Sequence, residues 1–298
     1  MSVRKVEFHS GYVSIIGRPN VGKSTLLNSL LGEKIAIVTP KPQTTRNRII
    51  GIKNLPDAQI IFIDTPGIHK PKHKLGETMV KTSIESLREV DIILFMVEPQ
   101  EIGRGDKFVI ALLKEVQSPV FLLINKIDTI KKSDLLPLID TLREVYPFKE
   151  IIPVSALTKD GTELLLKKIY DYLPGGPRYY PDDIITTQIE RFMVSEIIRE
   201  KIAEMTKEEV PHSVAVEIVE WEERGDGLVV IRSNIYVERE GQKGIIIGKK
   251  GVMLKAIGTA ARIDIERLLN AKVFLELWVK VKKDWRDNKR MLEELGYT

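Results

Sequence analysis

A chain of 298 residues, 43% hydrophobic and 30% charged with a net charge of +4, has room for two folded domains and too much apolar content to be disordered. It has no cysteine and four scattered histidines, which excludes a disulfide framework, thiol catalysis, cysteine-ligated zinc and a histidine metal cluster. The longest apolar run, IILFMV at 92–97, falls well short of the roughly 18 residues that span a bilayer. With no signal-peptide pattern before the first glycine-lysine loop, the expected location is the cytoplasm.

Over residues 1–173 short apolar runs alternate with longer helical stretches. YVSIIG (12–17), IIGIK (49–53), QIIFID (59–64), DIILFMV (91–97), PVFLLIN (119–125) and EIIPVS (150–155) predict strands. Most are apolar on successive residues, as strands covered on both faces are. Helices are predicted near 23–31, 76–89, 104–116, 133–145 and 161–172, the last opened by Gly161 and Thr162 and ended by Pro174. The alternation predicts an α/β domain with an open, mostly parallel six-stranded sheet. The short link NLPDA between the second and third strands predicts one antiparallel edge strand.

PGGPRYYPDD at 174–183 can continue neither a helix nor a central strand, so it reads as the linker between domains. Beyond it, over 184–298, the order changes. A helix is predicted near 184–207, strands near 213–221 and 228–238, and a glycine-lysine loop, GIIIGKKG, at 244–251. A helix near 252–269 carries Leu254, Ile257, Ala261, Ile265 and Leu268 on one face; a strand near 272–282 and a short helix opened by Asp284 follow. Charge is also divided. Residues 1–183 carry +4, residues 184–240 carry −6 and residues 241–298 carry +6. The basic block begins at GIIIGKKG, a weak pointer to a polyanionic partner.

GRPNVGKS at 17–24 fits the P-loop pattern at every fixed position and lies between a predicted strand and a predicted helix. Backbone N–H groups over Gly17, Arg18, Pro19, Asn20, Val21, Gly22 and on to Thr25 would surround a nucleotide's phosphates, ending at a helix N-terminus. Lys23 would reach the outer phosphates and the Ser24 hydroxyl would ligate Mg2+. NKID at 125–128 selects the base. The Asp128 carboxylate can accept from guanine N1–H and the 2-amino group, neither of which adenine offers, a difference of about 10⁴-fold or more. Asn125 would bond the base edge and steady the phosphate loop while the Lys126 stem covers the ring. Ser155, Ala156 and Leu157 follow the sixth strand, where the Ala156 N–H could meet guanine O6. GTP and GDP are therefore the expected ligands.

DTPG at 64–67 and the next residue, Ile68, follow the third strand. Asp64 sits where a carboxylate holds magnesium through water, Thr65 and Pro66 continue the loop, and the Gly67 N–H can sense the terminal phosphate. Loss of that phosphate ends both contacts and moves the loop. The segment 33–48 supplies the other moving part, with Thr45 the preferred second hydroxyl on magnesium and Thr44 the adjacent alternative.

In this order and spacing GRPNVGKS, QTTR, DTPG, NKID and SAL resemble the translation-factor-related GTPases. The resemblance implies GTP hydrolysis with Lys23, Thr45, Asp64 and Gly67 in catalytic positions. Where many GTPases carry a glutamine that orients the attacking water, this chain has Ile68, which implies slow intrinsic turnover, on the order of 10⁻⁴ to 10⁻² s⁻¹. The resemblance also implies a potassium ion (K+) held through Asn20 to neutralise transition-state charge.

GIIIGKKG fails as a P-loop, because three residues and not four separate its first glycines and no hydroxyl follows the lysines. It contains G-x-x-G, as Gly248, Lys249, Lys250 and Gly251, between an apolar turn and an amphipathic helix. The order helix-strand-strand-loop-helix-strand resembles the bacterial (type II) K-homology, or KH, domain, an α+β fold whose loop clamps single-stranded RNA. Lys243, Ile246, Ile247, Lys249 and Lys250 would form that surface, with Lys282, Lys283, Arg286 and Lys289 in a basic tail. Trp285 reads equally as a base-stacking residue or as a core anchor for the last helix. A GTPase of this subgroup joined to a KH domain resembles a bacterial family of ribosome-assembly GTPases. That implies binding at the 3′ end of 16S rRNA during assembly of the 30S subunit, with some peripheral membrane association. The alternative is an RNA-binding module whose nucleotide domain is mainly structural.

Overall fold

The computed structural model describes residues 7–41 and 44–297. Pro42 and the Gln43 of QTTR lie outside them. The chain forms two compact units. The first contains the residues up to Ala36, Thr45–Pro71 and Thr78–Thr187; the second contains Ile37–Thr44, Lys72–Glu77 and everything from Gln188.

The first unit is built on a six-stranded sheet in the order β2-β3-β1-β4-β5-β6. Its strands are β1 (His9–Gly17), β2 (Ile49–Asn54), β3 (Ala58–Asp64), β4 (Ile92–Val97), β5 (Val120–Ile124) and β6 (Glu150–Pro153). All neighbours pair in parallel except β2, which runs antiparallel to β3. Helices α1 (Lys23–Leu31), α2 (Lys74–Glu85), α3 (Arg104–Leu113), α4 (Lys132–Arg143) and α5 (Thr162–Tyr172) connect the strands. Every residue of β3, β4 and β5 is buried, which explains their unbroken apolar runs. The parallel register brings the C-terminal ends of β1, β3, β4 and β5 to one edge, where ligands of such sheets bind.

The proline-rich stretch is not a loose tether. Gln59, fully buried on β3, accepts from the N–H groups of Tyr179 and Tyr180 and donates to the Tyr180 carbonyl. Ser10 Oγ donates to Pro177 O at 2.6 Å. Farther on, Ile52 N–H donates to Ile185 O at 2.8 Å and Thr186 pairs with Gly51 as an antiparallel bridge. This strap takes up residues the sequence placed in a helix, so α6 spans Glu190–Met205 instead of beginning near 184.

The second unit has a three-stranded sheet, β7 (Ala215–Glu223), β8 (Leu228–Val237) and β9 (Lys272–Val281), with β8 antiparallel to β7 and parallel to β9. Its core joins Val194, Ile198 and Ile202 of α6, Ile231 and Ile235 of β8, and Ile257, Ala261 and Ile265 of α8 (Val252–Leu269). Two expectations change here. The apolar turn Ile245–Ile247 is the end of a helix, α7 (Glu240–Ile247), because its Ile246 drops into this core. Asp284 does not open the last helix. It adopts φ 53° before a 3₁₀ turn at Trp285–Asp287, and Asn288 caps α9 (Lys289–Glu294) by accepting from Met291 N–H at 3.2 Å.

Candidate functional site

The first candidate site lies where β1 turns into α1. Gly22 has φ +102°, and a Cβ there would lie 2.2 Å from Nδ2 of Asn125. Left-handed backbone and lack of space both demand glycine at this point. Asn125, at the end of β5, donates from Nδ2 to Val21 O at 2.7 Å and accepts at Oδ1 from Ala156 N–H at 2.9 Å. It thus ties the phosphate loop to the loop after β6. The Ala156 N–H, expected to face guanine O6, is here engaged by Asn125. The Asp128 carboxylate accepts from the buried Ser155 hydroxyl at 2.5 Å and is otherwise exposed, open to a second set of donors. Leu157 is 77% exposed.

Lys23 is buried, with its ammonium donating to the carbonyls of Arg18 at 2.9 Å and Gly17 at 3.3 Å. Arg18 offers the loop only its backbone. Its Nε donates to the buried Asp106 of α3 at 2.7 Å, and Glu98 lies 3.6 Å away. Glu98 also accepts from Lys126 Nζ at 2.5 Å, so Arg18, Glu98 and Lys126 link the phosphate loop to the base loop. Asn20 is exposed in a left-handed turn at φ 66°, between Pro19 and the buried Val21. Thr25 follows Ser24 in the first turn of α1.

Three oxygens converge beside Lys23. Ser24 Oγ lies 2.6 Å from Asp64 Oδ2 and 2.7 Å from Thr45 Oγ1, and Thr45 Oγ1 lies 3.4 Å from the same carboxylate oxygen. Thr44 turns elsewhere, donating to Lys41 O at 2.7 Å. Asp64 Oδ1 is buried with no hydrogen-bond partner. A buried carboxylate oxygen so left is costly unless something positive meets it. One carboxylate and two hydroxyls form the hard oxygen set that magnesium takes, so these residues fit the ion. Burial raises the Asp64 carboxyl to about 6, opposed first by the charge of Lys23 and then by the Ser24 and Thr45 hydroxyls. Burial lowers the Lys23 ammonium to about 8, opposed by Asp64.

The rest of the DTPG loop packs on the phosphate loop. Thr65 Oγ1 donates to Ile15 O at 2.9 Å, so its side chain is structural. Pro66 O accepts from Ser83 Oγ at 2.9 Å. Gly67 lies against Pro19, and Ile68 N–H donates to Gly17 O at 3.0 Å. The Ile68 side chain is fully buried in the core and holds no water in place.

The second candidate site belongs to α7, α8 and β9. In GKKG, Gly248 has φ +70° and a Cβ there would lie 2.7 Å from that of Met253. Lys250 and Gly251 are left-handed as well. The loop is therefore a sharp turn that presents exposed Lys249 and Lys250. Beside it runs a groove of about 390 Å³ lined by Leu254, Lys255, Gly258, Arg262, Leu275 and Leu277. Its lining also includes Glu276, which accepts from Arg232 Nε at 2.8 Å; the apolar floor with Lys255 and Arg262 beside it suits a splayed single strand. Sequence reading missed Lys255, Gly258 and Arg262, although Leu254, Gly258 and Arg262 recur every four residues beside the core stripe of Ile257, Ala261 and Ile265.

Several expected RNA contacts are displaced. Ile246 is fully buried and Ile247 packs against the same core, while Ile245 is the exposed member, at 51%. Trp285 is fully buried, donates from Nε1 to Ser213 O at 2.9 Å and stacks on Tyr297, so it is the core anchor and not a base platform. Arg286 is committed to Glu238. Lys282, Lys283 and Lys289 are exposed and Lys243 is half-buried.

The fold and the two sites define a P-loop GTPase joined to a KH domain. A family model described as 50S ribosome-binding GTPase matches residues 12–126, and the KH domain model matches residues 209–286. The chain belongs to the Era family of GTPases. It is 57% identical over 293 residues to GTPase Era of Geobacter metallireducens, covering 98% of both chains, and 54% identical to that of Ruminiclostridium cellulolyticum, again covering 98% of both. Two solved structures are similar along the whole chain. One is a crystal structure of Era in complex with MgGDPNP and nucleotides 1506–1542 of 16S ribosomal RNA (TM-score 0.95, 46% identity, 98% of this chain and 99% of that one). The other is an Aquifex aeolicus Era variant bound to GDP and AlF4− (TM-score 0.94, 46% identity, 98% and 100%).

Proposed function

We infer that the chain is a Mg2+-dependent GTPase switch that binds the 3′ region of 16S rRNA and acts on the 30S subunit in the cytoplasm. The observation that carries this reading is the occurrence, in one chain, of the oxygen cluster of Ser24, Thr45 and Asp64 and of the GKKG groove. The Era structure holding both MgGDPNP and 16S nucleotides supports it.

In this reading the loop from Gly17 to Thr25 receives the phosphates on its backbone N–H groups, and Lys23 leaves its carbonyl partners to meet the outer ones. Ser24, Thr45 and Asp64 hold magnesium, which when bound offsets the charge of the phosphates. Asp128 receives the guanine edge while Asn125 keeps base loop and phosphate loop in register. With Ile68 where a water-orienting glutamine would stand, hydrolysis by the protein alone is slow, and Asn20 is the residue we assign to a potassium ion. Lys249, Lys250, Lys255 and Arg262 grip the RNA backbone, and the bases lie over Leu254, Leu275 and Leu277.

The test is GTP turnover with and without an oligonucleotide matching the 3′ end of 16S rRNA, in wild type and in the Lys249→Ala/Lys250→Ala double variant. Stimulation by RNA that the double variant loses is the expected result. Turnover indifferent to RNA would remove the link between the two sites.

A further inference from the structure

We propose that the face of the KH sheet turned away from the helices is a second RNA surface, on which Phe274 and Trp278 stack bases of the strand that leaves the GKKG groove. β9 is an outermost strand of its sheet, and its side chains alternate between the two faces. Val273, Leu275, Leu277 and Val279 turn to the helices, and Leu275 and Leu277 also line the groove. Lys272, Phe274, Glu276, Trp278 and Lys280 form the opposite strip. Phe274 is 51% exposed and Trp278 is 55% exposed. Two open rings on one strip of one strand differ from the single apolar side chains usual on a surface. Glu276 of this strip also lines the groove, so the two surfaces meet along the outer edge of β9.

The strip suits bases better than an apolar protein partner. Phe274 and Trp278 are four residues apart on a strand, about 13 Å at ~3.3 Å per residue. Between them Glu276 accepts from Arg232 Nε at 2.8 Å, and Arg232 also donates to Glu220 at 2.7 Å. The rings are thus separated by an ion-pair network, not joined into the continuous apolar core that a protein interface needs. Separate rings flanked by cations are what stacking along a single strand uses. The exposed Lys272 and Lys280 stand at the two ends of the strip. The acidic residues of this face lie mainly on β7, beyond β8: Glu217 accepts from Tyr236 Oη at 2.7 Å, Glu220 is held by Arg232, and Glu222 lies 3.6 Å from Arg224. Their charge confines a polyanion to the β9 side.

The proposal rests on the reading that the GKKG groove holds RNA, and its test separates the two. The probes are oligoribonucleotides matching the 3′ end of 16S rRNA, one of about four nucleotides, the length a KH groove takes, and one of about ten. They are bound to the full chain, to Phe274→Ala/Trp278→Ala, to Trp278→Phe and to Lys249→Ala/Lys250→Ala, with thermal melts to establish folding. The ring double variant should bind the short oligomer as wild type does and the long one roughly tenfold to 100-fold more weakly. Trp278→Phe should keep most of the affinity. The long oligomer should also quench tryptophan fluorescence more in wild type than in Trp278→Phe, a measurement that decides the matter if the double variant does not fold. Wild-type affinity of the folded double variant for the long oligomer, or equal quenching in Trp278→Phe, overturns the proposal. Self-association of wild type that the double variant loses, with RNA affinity intact, assigns the face to a second copy and overturns it as well. The groove reading fails on a different result, namely Lys249→Ala/Lys250→Ala binding the short oligomer as wild type does. Weakened binding of the long oligomer by the ring variant then still places RNA on the β9 face.

Discussion

The amide of Asn125 occupies the space that a side chain on Gly22 would need, with a Cβ there only 2.2 Å from Nδ2. The same amide holds Val21 O and Ala156 N–H, so phosphate loop, base loop and the loop after β6 are one hydrogen-bonded assembly. Gly22→Ala should lower GDP and GTP affinity at least ~100-fold, and Asn125→Ala by a similar factor. The double variant should be little worse than either, because both break one interlock. Calorimetric titration of the three variants checks this; additive losses would show two independent roles.

The Asp64 carboxyl, raised to about 6 by burial, gives a pH signature. Its folded pKa exceeds the ordinary 3.8. The stability it contributes to the empty protein is therefore present below about 4 and lost as pH rises through 6. Magnesium needs the ionised form, so its affinity should drop roughly tenfold from pH 7 to pH 5. Asp64→Asn should bind magnesium weakly with a flatter pH dependence. The nucleotide's own titration is common to both proteins, so the difference between their curves isolates the carboxyl.

Asp128→Asn replaces two acceptors by one acceptor and one donor. Guanine then loses a bond and meets a donor opposite its 2-amino group, whereas xanthine presents an oxygen there. GTP affinity should fall about 100-fold or more and xanthosine triphosphate should become the better ligand. Competition binding with both nucleotides and with ATP measures the order. Retained preference for GTP would show that Asp128 does not read the base.

Lys249 and Lys250 are exposed at the GKKG turn and Trp285 is fully buried, so their substitutions should separate. Lys249→Ala/Lys250→Ala should leave the melting temperature unchanged and reduce the salt slope of RNA binding by roughly 1 to 1.5. Trp285→Ala should destabilise the second unit by about 3–5 kcal/mol. Trp285→Phe should recover most of the stability and bind RNA normally. Filter binding across salt concentrations, beside thermal melts, distinguishes the two classes.

Potassium should raise GTP turnover above that seen in sodium buffer, and Asn20→Ala should abolish the difference. Equal rates of wild type in the two salts would overturn the assignment of Asn20.

The nucleotide site was legible because its chemistry is tied to spacing. GRPNVGKS, DTPG and NKID each sit at the end of a strand, and a parallel sheet gathers such ends without help from distant residues. The RNA site was half legible. Gly248 and the two lysines are dictated by the turn, but α7 was hidden by Gly241 and Gly244, whose poor helix propensity is overridden by the burial of Ile246. Trp285 stayed ambiguous because the basic residues around it describe the surface, while its contacts with Ser213 and Tyr297 are tertiary. The partners of Thr44 and Thr45 lie more than 100 residues apart in one case and about 20 in the other, and no local pattern announces either.

The bridge between Gly51 and Thr186 also bears on the outer margin of the six-stranded sheet. β2 ends the six-stranded sheet, and an uncovered outermost strand invites a second molecule to add itself in register. Here Ile185 and Thr186 occupy that margin from within the same chain. A fragment cut after residue 173 would be left with a bare, pairing-competent border and a tendency to clump, while one carried through to 187 would keep its own seal.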